Sequence, residues 1–536
     1  NRKLCTSINF NERILSPYRF TRFVACIASF AAAAGTFASA ATAGAQTATA
    51  PSPEDTASAA GQPDSGLSLR NGLLMVDYQY IRLPGDRSLD LLGYHLLHPV
   101  NDWLYFGIGS FAPVTQGDYG GFMAFGGILH AQHRMRGNWT VNGGLALGGG
   151  GGGESVELSD DLSGTGGYAK AYAGIGYDFG RVTAGANISR MAFFESEIDG
   201  TQLNLYLQLP FAYRTGPHSQ AGQSFSYHPD PGSSGRAGMI SAGLDNYLQQ
   251  DPQGSNTGTI RTVDLQVSRY FRENRYWYYA LGVGYEGLPL YNQVIAGLGA
   301  RQVLSPRVSL YGQLGIGSGG YAPSVIDTGS GFLVYPKVSA EYMIRPNLGL
   351  ALTAGYLFAP DGTSENITVG AALNYHMRPP SRANSPGAAA QGRFAGYRFS
   401  VSHETKTNLR VGGAGREDLG LITIQGDKIL NDHFYVPIRG SIAYDSYRGY
   451  PGYGEVSAGV GWQSKYSSTS RWQFFGDVQA GAYVDGRLLR AGLGAAYALS
   501  PETALRGMVS HTIGDDSFAA SSLELGWTYR FSLPVF

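Results

Sequence analysis

Gly282-Val283-Gly284-Tyr285-Glu286-Gly287 spells GxGxxG, the spacing that lets a backbone turn approach a dinucleotide pyrophosphate. That chemistry needs a helix to follow, with its N-terminus on the phosphate. Here Leu288-Pro289-Leu290-Tyr291 follows and the two-residue alternation continues, so nucleotide binding is not expected. His95 and His98 are three apart, as are His130 and His133. On a strand such residues point to opposite sides and cannot share one ion. Asp160-Asp161 and Asp515-Asp516 are loop carboxylates. They could take a hard divalent cation, or be plain solvated loop charges. Lys337 and Glu341 share one strand face, as do Glu524 and Arg530. In a narrow interior such charges are expected to pair with partners across the barrel, because a lone buried charge is costly. Lining a wide lumen, they would tune selectivity instead.

The elements that position these residues are read from composition and period. The chain has 536 residues, a formal net charge of −1 and only 15% charged residues, so no strong field attracts nucleic acid. Glycine is high at 77, with 35 tyrosines and 25 phenylalanines. That composition suits sheets with one greasy face and one small or polar face. Both cysteines, Cys5 and Cys26, lie in an N-terminal segment that reads as a secretory signal: Arg13, Arg19 and Arg22, then an alanine-rich apolar run, then Ala38-Ser39-Ala40 or Ala43-Gly44-Ala45. A lipid anchor at Cys26 is disfavoured, because almost no apolar run precedes it. A signal peptide over 1–45 and an Ala/Ser/Pro-rich leader over 46–71 are therefore expected. The remainder carries no thiol chemistry, no cofactor is expected, and no apolar run is long enough for a membrane helix.

From residue 72 the dominant period is two. Trp277, Tyr279, Leu281, Val283 and Tyr285 fall on one face; Tyr278, Ala280, Gly282 and Gly284 on the other. Leu523, Leu525, Trp527, Tyr529 and Phe531 alternate with Glu524, Gly526, Thr528 and Arg530. Such runs are strands with two distinct faces, long enough to cross a bilayer when tilted. The pattern recurs three times, over 72–213, 238–377 and 397–536. The fourth strands align as MAFGGILHAQH, VIAGLGARQVL and VSAGVGWQSKY; the closing ones as LNLYLQLPFAY, ITVGAALNYHM and LELGWTYRF. Tight turns such as HPVNDW, FRENRYW and LSPET alternate with longer Gly/Asp/Ser-rich loops. Segments 214–237 and 378–396 are Pro/Gly/Ser-rich linkers. The predicted fold is all-β: antiparallel transmembrane barrel, about 24 strands in three repeats of eight. Closure as three narrow barrels is favoured over one wide one. A wide lumen needs a plug that this chain lacks, whereas eight strands fill themselves with side chains. Pro210, Pro336 and Pro437 interrupt strand patterns and should mark bulges or strand ends.

The closing strand, Leu523–Phe531, resembles the terminal signal strand of Gram-negative outer-membrane barrels, although Ser532 to Phe536 still follow it. Each repeat resembles the small eight-stranded OmpA/OmpX-type barrels in strand count and turn asymmetry. That resemblance implies the outer membrane, contact with its lipid and lipopolysaccharide, and insertion by the barrel assembly machinery. A periplasmic partner is left open. Trp103, Trp139, Trp277 and Trp472, at or just after tight turns, would form the periplasmic interface girdle. Ser510-His511 with Glu524 invites comparison with the lipid A deacylases, eight-stranded barrels with a Ser/His/Glu site. That family carries His-x-Ser, where this chain has His511-Thr512-Ile513, so the serine does not carry over. The expected role is structural or surface-binding and not enzymatic. An export pore for a polysaccharide or protein is the second reading, and a lipid A-modifying enzyme the third.

Overall fold

The computed structural model describes residues 68–152, 162–227, 238–377, 390–410, 417–448, 451–465 and 470–535. The expected signal peptide, residues 46–67 of the leader, and Asp160 and Asp161 lie outside the described residues. Repeat 1 folds as β1 (Ser68–Arg82), β2 (Ser88–Pro99), β3 (Leu104–Pro113), β4 (Met123–Arg134), β5 (Trp139–Gly151), β6 (Gly167–Asp178), β7 (Thr183–Phe193) and β8 (Asp199–Thr215). A short β9 (Ser224–Tyr227) follows. Repeat 2 folds as β10 (Gly238–Gln250), β11 (Ile260–Arg272), β12 (Arg275–Glu286), β13 (Asn292–Ser305), β14 (Val308–Gly320), β15 (Phe332–Arg345), β16 (Leu348–Phe358) and β17 (Glu365–His376). Repeat 3 folds as β18 (Ala390–Arg410), β19 (Glu417–Ile429), β20 (Phe434–Ala443), β21 (Gly454–Gln463), β22 (Trp472–Tyr483), β23 (Gly486–Ala498), β24 (Thr503–Gly514) and β25 (Ala519–Val535).

Closure decides the architecture. β1 pairs with β8, β10 with β17 and β18 with β25, each antiparallel. Every repeat therefore seals its own sheet, giving three closed eight-stranded barrels and no single 24-stranded wall. The tight turns link second to third, fourth to fifth and sixth to seventh strands, so both ends of each repeat lie on the tight-turn side.

The barrel walls are inside out relative to a soluble protein. Along β8, Leu203 and Leu205 are 68% and 63% exposed, while Asn204 and Tyr206 between them are 0% and 2% exposed. The same holds for Leu310, Leu314 and Ile316 of β14 and for Leu489 and Leu493 of β23. Each large aliphatic side chain gains about 1.5–3 kcal/mol on leaving water. A wall that turns these outward and its amides and charges inward is stable only with hydrocarbon outside.

Several boundaries differ from the sequence reading. β1 starts at Ser68 rather than 72, because residues 68–71 pair with the end of β8. The segment 214–237 is not a free linker along its described part. A 3₁₀ turn, His218–Gln220, is followed by β9, which pairs with Ala390–Arg393 at the start of β18. Gly216 bridges to Ser532 of β25. β18 thus begins at Ala390 rather than 397, and residues 532–535 prolong β25. The physical reason is backbone satisfaction: the β18 and β25 extensions project past their barrel and would otherwise present unpaired N–H and C=O groups.

The prolines behave as their missing N–H requires. Between β15 and β16, Val334 pairs with Phe358 and Lys337 with Gly355, but Tyr335 and Pro336 have no partner on β16. The β20–β21 ladder skips Val436 and Pro437 in the same way. Pro210 lies past Gln208, the last β8 residue paired with β7.

The barrels also touch one another. Tyr94 of barrel 1 packs on Tyr279 of barrel 2 at 5.7 Å, and Phe106 of barrel 1 on Trp527 of barrel 3 at 6.3 Å. At the long-loop end the Gly120 N–H donates to the Gly329 carbonyl at 2.8 Å, and the Thr165 hydroxyl to the Tyr444 carbonyl at 3.1 Å. Gly121 sits at φ +93°, and a Cβ there would lie 2.1 Å from the Tyr321 carbonyl oxygen. Only glycine permits that approach.

Candidate functional site: the charged barrel interiors

Inward strand positions carry the charges, and each barrel pairs several of them across its own interior. In barrel 1, Asp77 of β1 receives Lys170 of β6 on one oxygen and His95 of β2, at 2.7 Å, on the other. The Lys170 ammonium also lies 4.7 Å from the centre of the Phe111 ring. In barrel 2, Lys337 of β15 meets Asp245 of β10 at 2.7 Å, and the Thr353 hydroxyl donates to the same carboxylate at 2.8 Å. A second node holds Glu341: His376 at 2.7 Å, the Tyr311 hydroxyl at 2.6 Å and the Asn374 amide at 2.9 Å. Lys337 and Glu341 therefore share a strand and an interior but belong to different clusters.

Barrel 3 has the densest network. Glu524 of β25 faces Arg439 at 2.8 Å, Arg490 at 3.3 Å and Arg506 at 3.4 Å. Arg439 also pairs with Glu404 of β18, and Arg490 with Asp477 at 3.2 Å. Lys406 lies 2.9 Å from Glu455. Arg398 pairs with Asp427 and lies 4.6 Å from the centre of the Tyr435 ring. Arg530 is buried at the tight-turn end, paired in register with Arg398 and close to His218 of the segment beneath. Glu524 and Arg530 thus lie in one interior but at different levels. Low local dielectric makes such pairs strong when complete and makes their disruption expensive.

One recurrence escaped the strand-by-strand reading. Asp77, Asp245 and Glu404 occupy corresponding places on the first strand of each repeat, in VDY, LDN and HET. Lys170, Lys337 and Arg490 occupy corresponding places on the sixth, in AKA, PKV and LRA. Barrels 1 and 2 join the two directly, and barrel 3 joins them through Arg439 and Glu524. Aligning inward charges across the repeats would have shown the pair.

The remaining candidates separate. Ser510 is buried on the inner side of β24, while the neighbouring His511 is exposed outside and 3.1 Å from Ser521. Glu524 is held by three arginines inside, so serine, histidine and glutamate form no relay. His130 is interior against Tyr172 at 2.6 Å, whereas His133 is exposed. His95 is interior, and His98 faces out onto Tyr529 of barrel 3 with ring centres 5.4 Å apart. The GxGxxG run lies largely within β12, with no helix after it. Asp515 ion-pairs with Arg487 at 3.1 Å in an outer turn, and the Arg487 N–H holds its carboxyl below the usual range.

Trp103, Trp139, Trp277 and Trp472 are all exposed at the tight-turn end. Trp139 and Trp472 stand edge-on to Tyr177 and Tyr497, at 5.2 and 5.1 Å. Trp462, near the end of β21, is exposed at the same end; the sequence reading did not single it out. On the closing strand Leu523 and Leu525 are exposed, while Trp527, Tyr529 and Phe531 stack in turn at 6.0 and 5.6 Å.

No family model matches the chain, and no curated protein matches it. Among solved structures, a de novo designed transmembrane β-barrel aligns over 26% of this chain and 94% of its own, at 14% identity and a TM-score of 0.18. Neisserial surface protein A aligns over 25% of this chain and 96% of its own, at 12% identity and a TM-score of 0.21. The ferric enterobactin receptor of Pseudomonas aeruginosa aligns over 86% of this chain and 81% of its own, at 10% identity and a TM-score of 0.27. At such scores nothing of what these proteins do carries over to this chain.

Proposed function

We propose that this is an integral protein of the Gram-negative outer membrane whose three filled barrels act as a structural or surface-binding scaffold rather than as an open conduit. The observation that carries the reading is the pairing of interior charges in all three barrels, with Asp77, Glu341, Glu404 and Arg490 almost wholly buried. A water-filled lumen would leave such groups solvated. Lipid and lipopolysaccharide surround the walls, the tight turns and β9 face the periplasm, and the assembly machinery engages the closing strand. The export reading rested on a single wide barrel, and closure within each repeat removes its basis. The lipid-modifying reading loses support because Ser510 and His511 point to opposite sides of the wall.

Single-channel recording in planar bilayers tests the proposal. The full chain should give a quiet baseline or brief, small events. Stable large conductance steps would reject filled barrels. Fractionation and heat-dependent gel migration test the location separately, since a chain recovered in the soluble fraction is no membrane scaffold.

A further inference from the structure

The outward wall of barrel 2 is not evenly convex. A groove of about 740 Å³ crosses it, lined by Leu298, Ala300, Gly312, Leu314, Pro336 and Ala354, with Arg275 and Phe271 at one end. Its origin lies in the sequence. A Cβ on Gly312 would meet nothing within 4 Å, so a missing side chain leaves an open trough there. Pro336 adds to it by interrupting the β15–β16 ladder.

The groove has a direction. Arg275 pairs with Ala300, Ala300 with Gly312, Gly312 with Val338 and Val338 with Ala354. Four strand spacings of ~4.8 Å make it roughly 19 Å long. Arg275 opens β12 at the tight-turn edge, whereas Ala354 lies mid-strand in β16, so the trough climbs from the membrane boundary into the hydrocarbon. An acyl chain covers half of a core about 30 Å thick, so the dimensions agree. Arg275 is exposed and takes part in no ion pair among the described residues; Arg272, at the end of β11, pairs with it in register, and Glu273 lies in the turn between them. A guanidinium at that depth matches a phosphate through paired N–H donors, with its stem along the apolar wall.

We infer that barrel 2 carries a specific site for one glycerophospholipid of the tight-turn leaflet, with an acyl chain in the Gly312 trough and the phosphate on Arg275. The inference rests on the membrane reading above and adds a ligand to it. Lipopolysaccharide belongs to the opposite leaflet, away from Arg275. A second copy of the chain would need a protruding ridge and would bring no phosphate.

Native mass spectrometry of the full chain, extracted in mild detergent and washed to strip loosely held lipid, tests the site. The wild type should retain one phospholipid. Gly312→Phe fills the trough and Arg275→Gln removes the charge, and each should lower the retained fraction roughly tenfold. Arg275→Lys should retain an intermediate share. Heat-dependent gel migration identifies any variant that fails to form its barrel, and Arg275→Gln, at the exposed start of β12, keeps the test alive if Gly312→Phe misfolds. No lipid on the wild type, equal retention in a folded Gly312→Phe variant, or a dimer in place of a lipid adduct would each overturn the site. A chain that is membrane-integral yet lipid-free refutes this site alone, whereas a soluble chain refutes the reading beneath it.

Discussion

Lys337 reaches from the sixth strand of the middle barrel to Asp245 on its first, 2.7 Å away. The strands are joined by no ladder, so this contact spans the interior and fixes which strands face each other. Lys170 and Asp77 do the same in barrel 1. Lys337→Met leaves Asp245 buried without its cation, and the expected cost is about 3–5 kcal/mol. Denaturant unfolding in detergent or vesicles measures it. Lys337→Met with Asp245→Asn should recover much of the loss. A single variant as stable as the wild type would show that the pair does not hold the barrel.

Glu524 serves three arginines at once. Glu524→Gln should cost at least as much, because Arg439, Arg490 and Arg506 would then repel one another. The same variant should raise channel activity in the conductance assay. Unchanged stability together with an unchanged baseline would contradict the role given to this cluster.

Leu205 lies mid-way along β8 and faces outward. Leu205→Arg should destabilise the vesicle-inserted protein by about 2–4 kcal/mol, the cost of a cation near the bilayer midplane. A neutral outcome would mean that this wall does not meet lipid.

The contact between barrels 1 and 2 can be broken at one atom. Gly121→Val places a branched side chain where φ is +93° and a Cβ would lie 2.1 Å from the Tyr321 carbonyl oxygen. With cysteine at both Tyr94 and Tyr279, whose rings lie 5.7 Å apart, a short bifunctional thiol reagent should bridge the two barrels efficiently in the parent and poorly in the variant. Equal yields would show that the barrels associate without the Gly121 contact.

His218 sits outside the membrane span, in the turn beneath barrel 3. Burial, then Arg530 and Arg398, pull its imidazole down from 6.5 to about 4. The folded turn prefers neutral histidine, so its stabilisation is complete above about 6.5 and is lost as pH falls towards 4. Once corrected for the intrinsic pH dependence of amide exchange, the protection of residues 216–223 should fall across that window, and His218→Gln should flatten the response. A pH-independent protection in the parent would contradict it.

Much of this was legible because strands with a greasy and a polar face write themselves as alternation. Leu203, Leu205, Leu207 and Leu209 against Asn204, Tyr206 and Gln208 announce both strand and solvent. Tandem closure followed from lumen filling, a global argument needing no contacts. Partners were harder. The alternation places Lys337 and Glu341 inside and predicts partners across the interior, but it does not name Asp245 and His376, because a single strand cannot reveal its opposite wall. The β9 pairing escaped too, since SFSY is too short to alternate visibly within a Pro/Gly/Ser-rich stretch. Pro336 announced a defect but not its product, since the trough also needed an empty Gly312 two strands' width from Ala354.

The Gly216–Ser532 bridge and the β9–β18 pairing tie the stretch after the first barrel to the floor of the last. Synthesis delivers that stretch long before its docking strands exist, so it must wait, then be clasped when the third unit completes. Triplication has therefore not produced three interchangeable beads. Excising the final unit would strip away its underside, and permuting the order of the units would leave the clasp with nothing to grip.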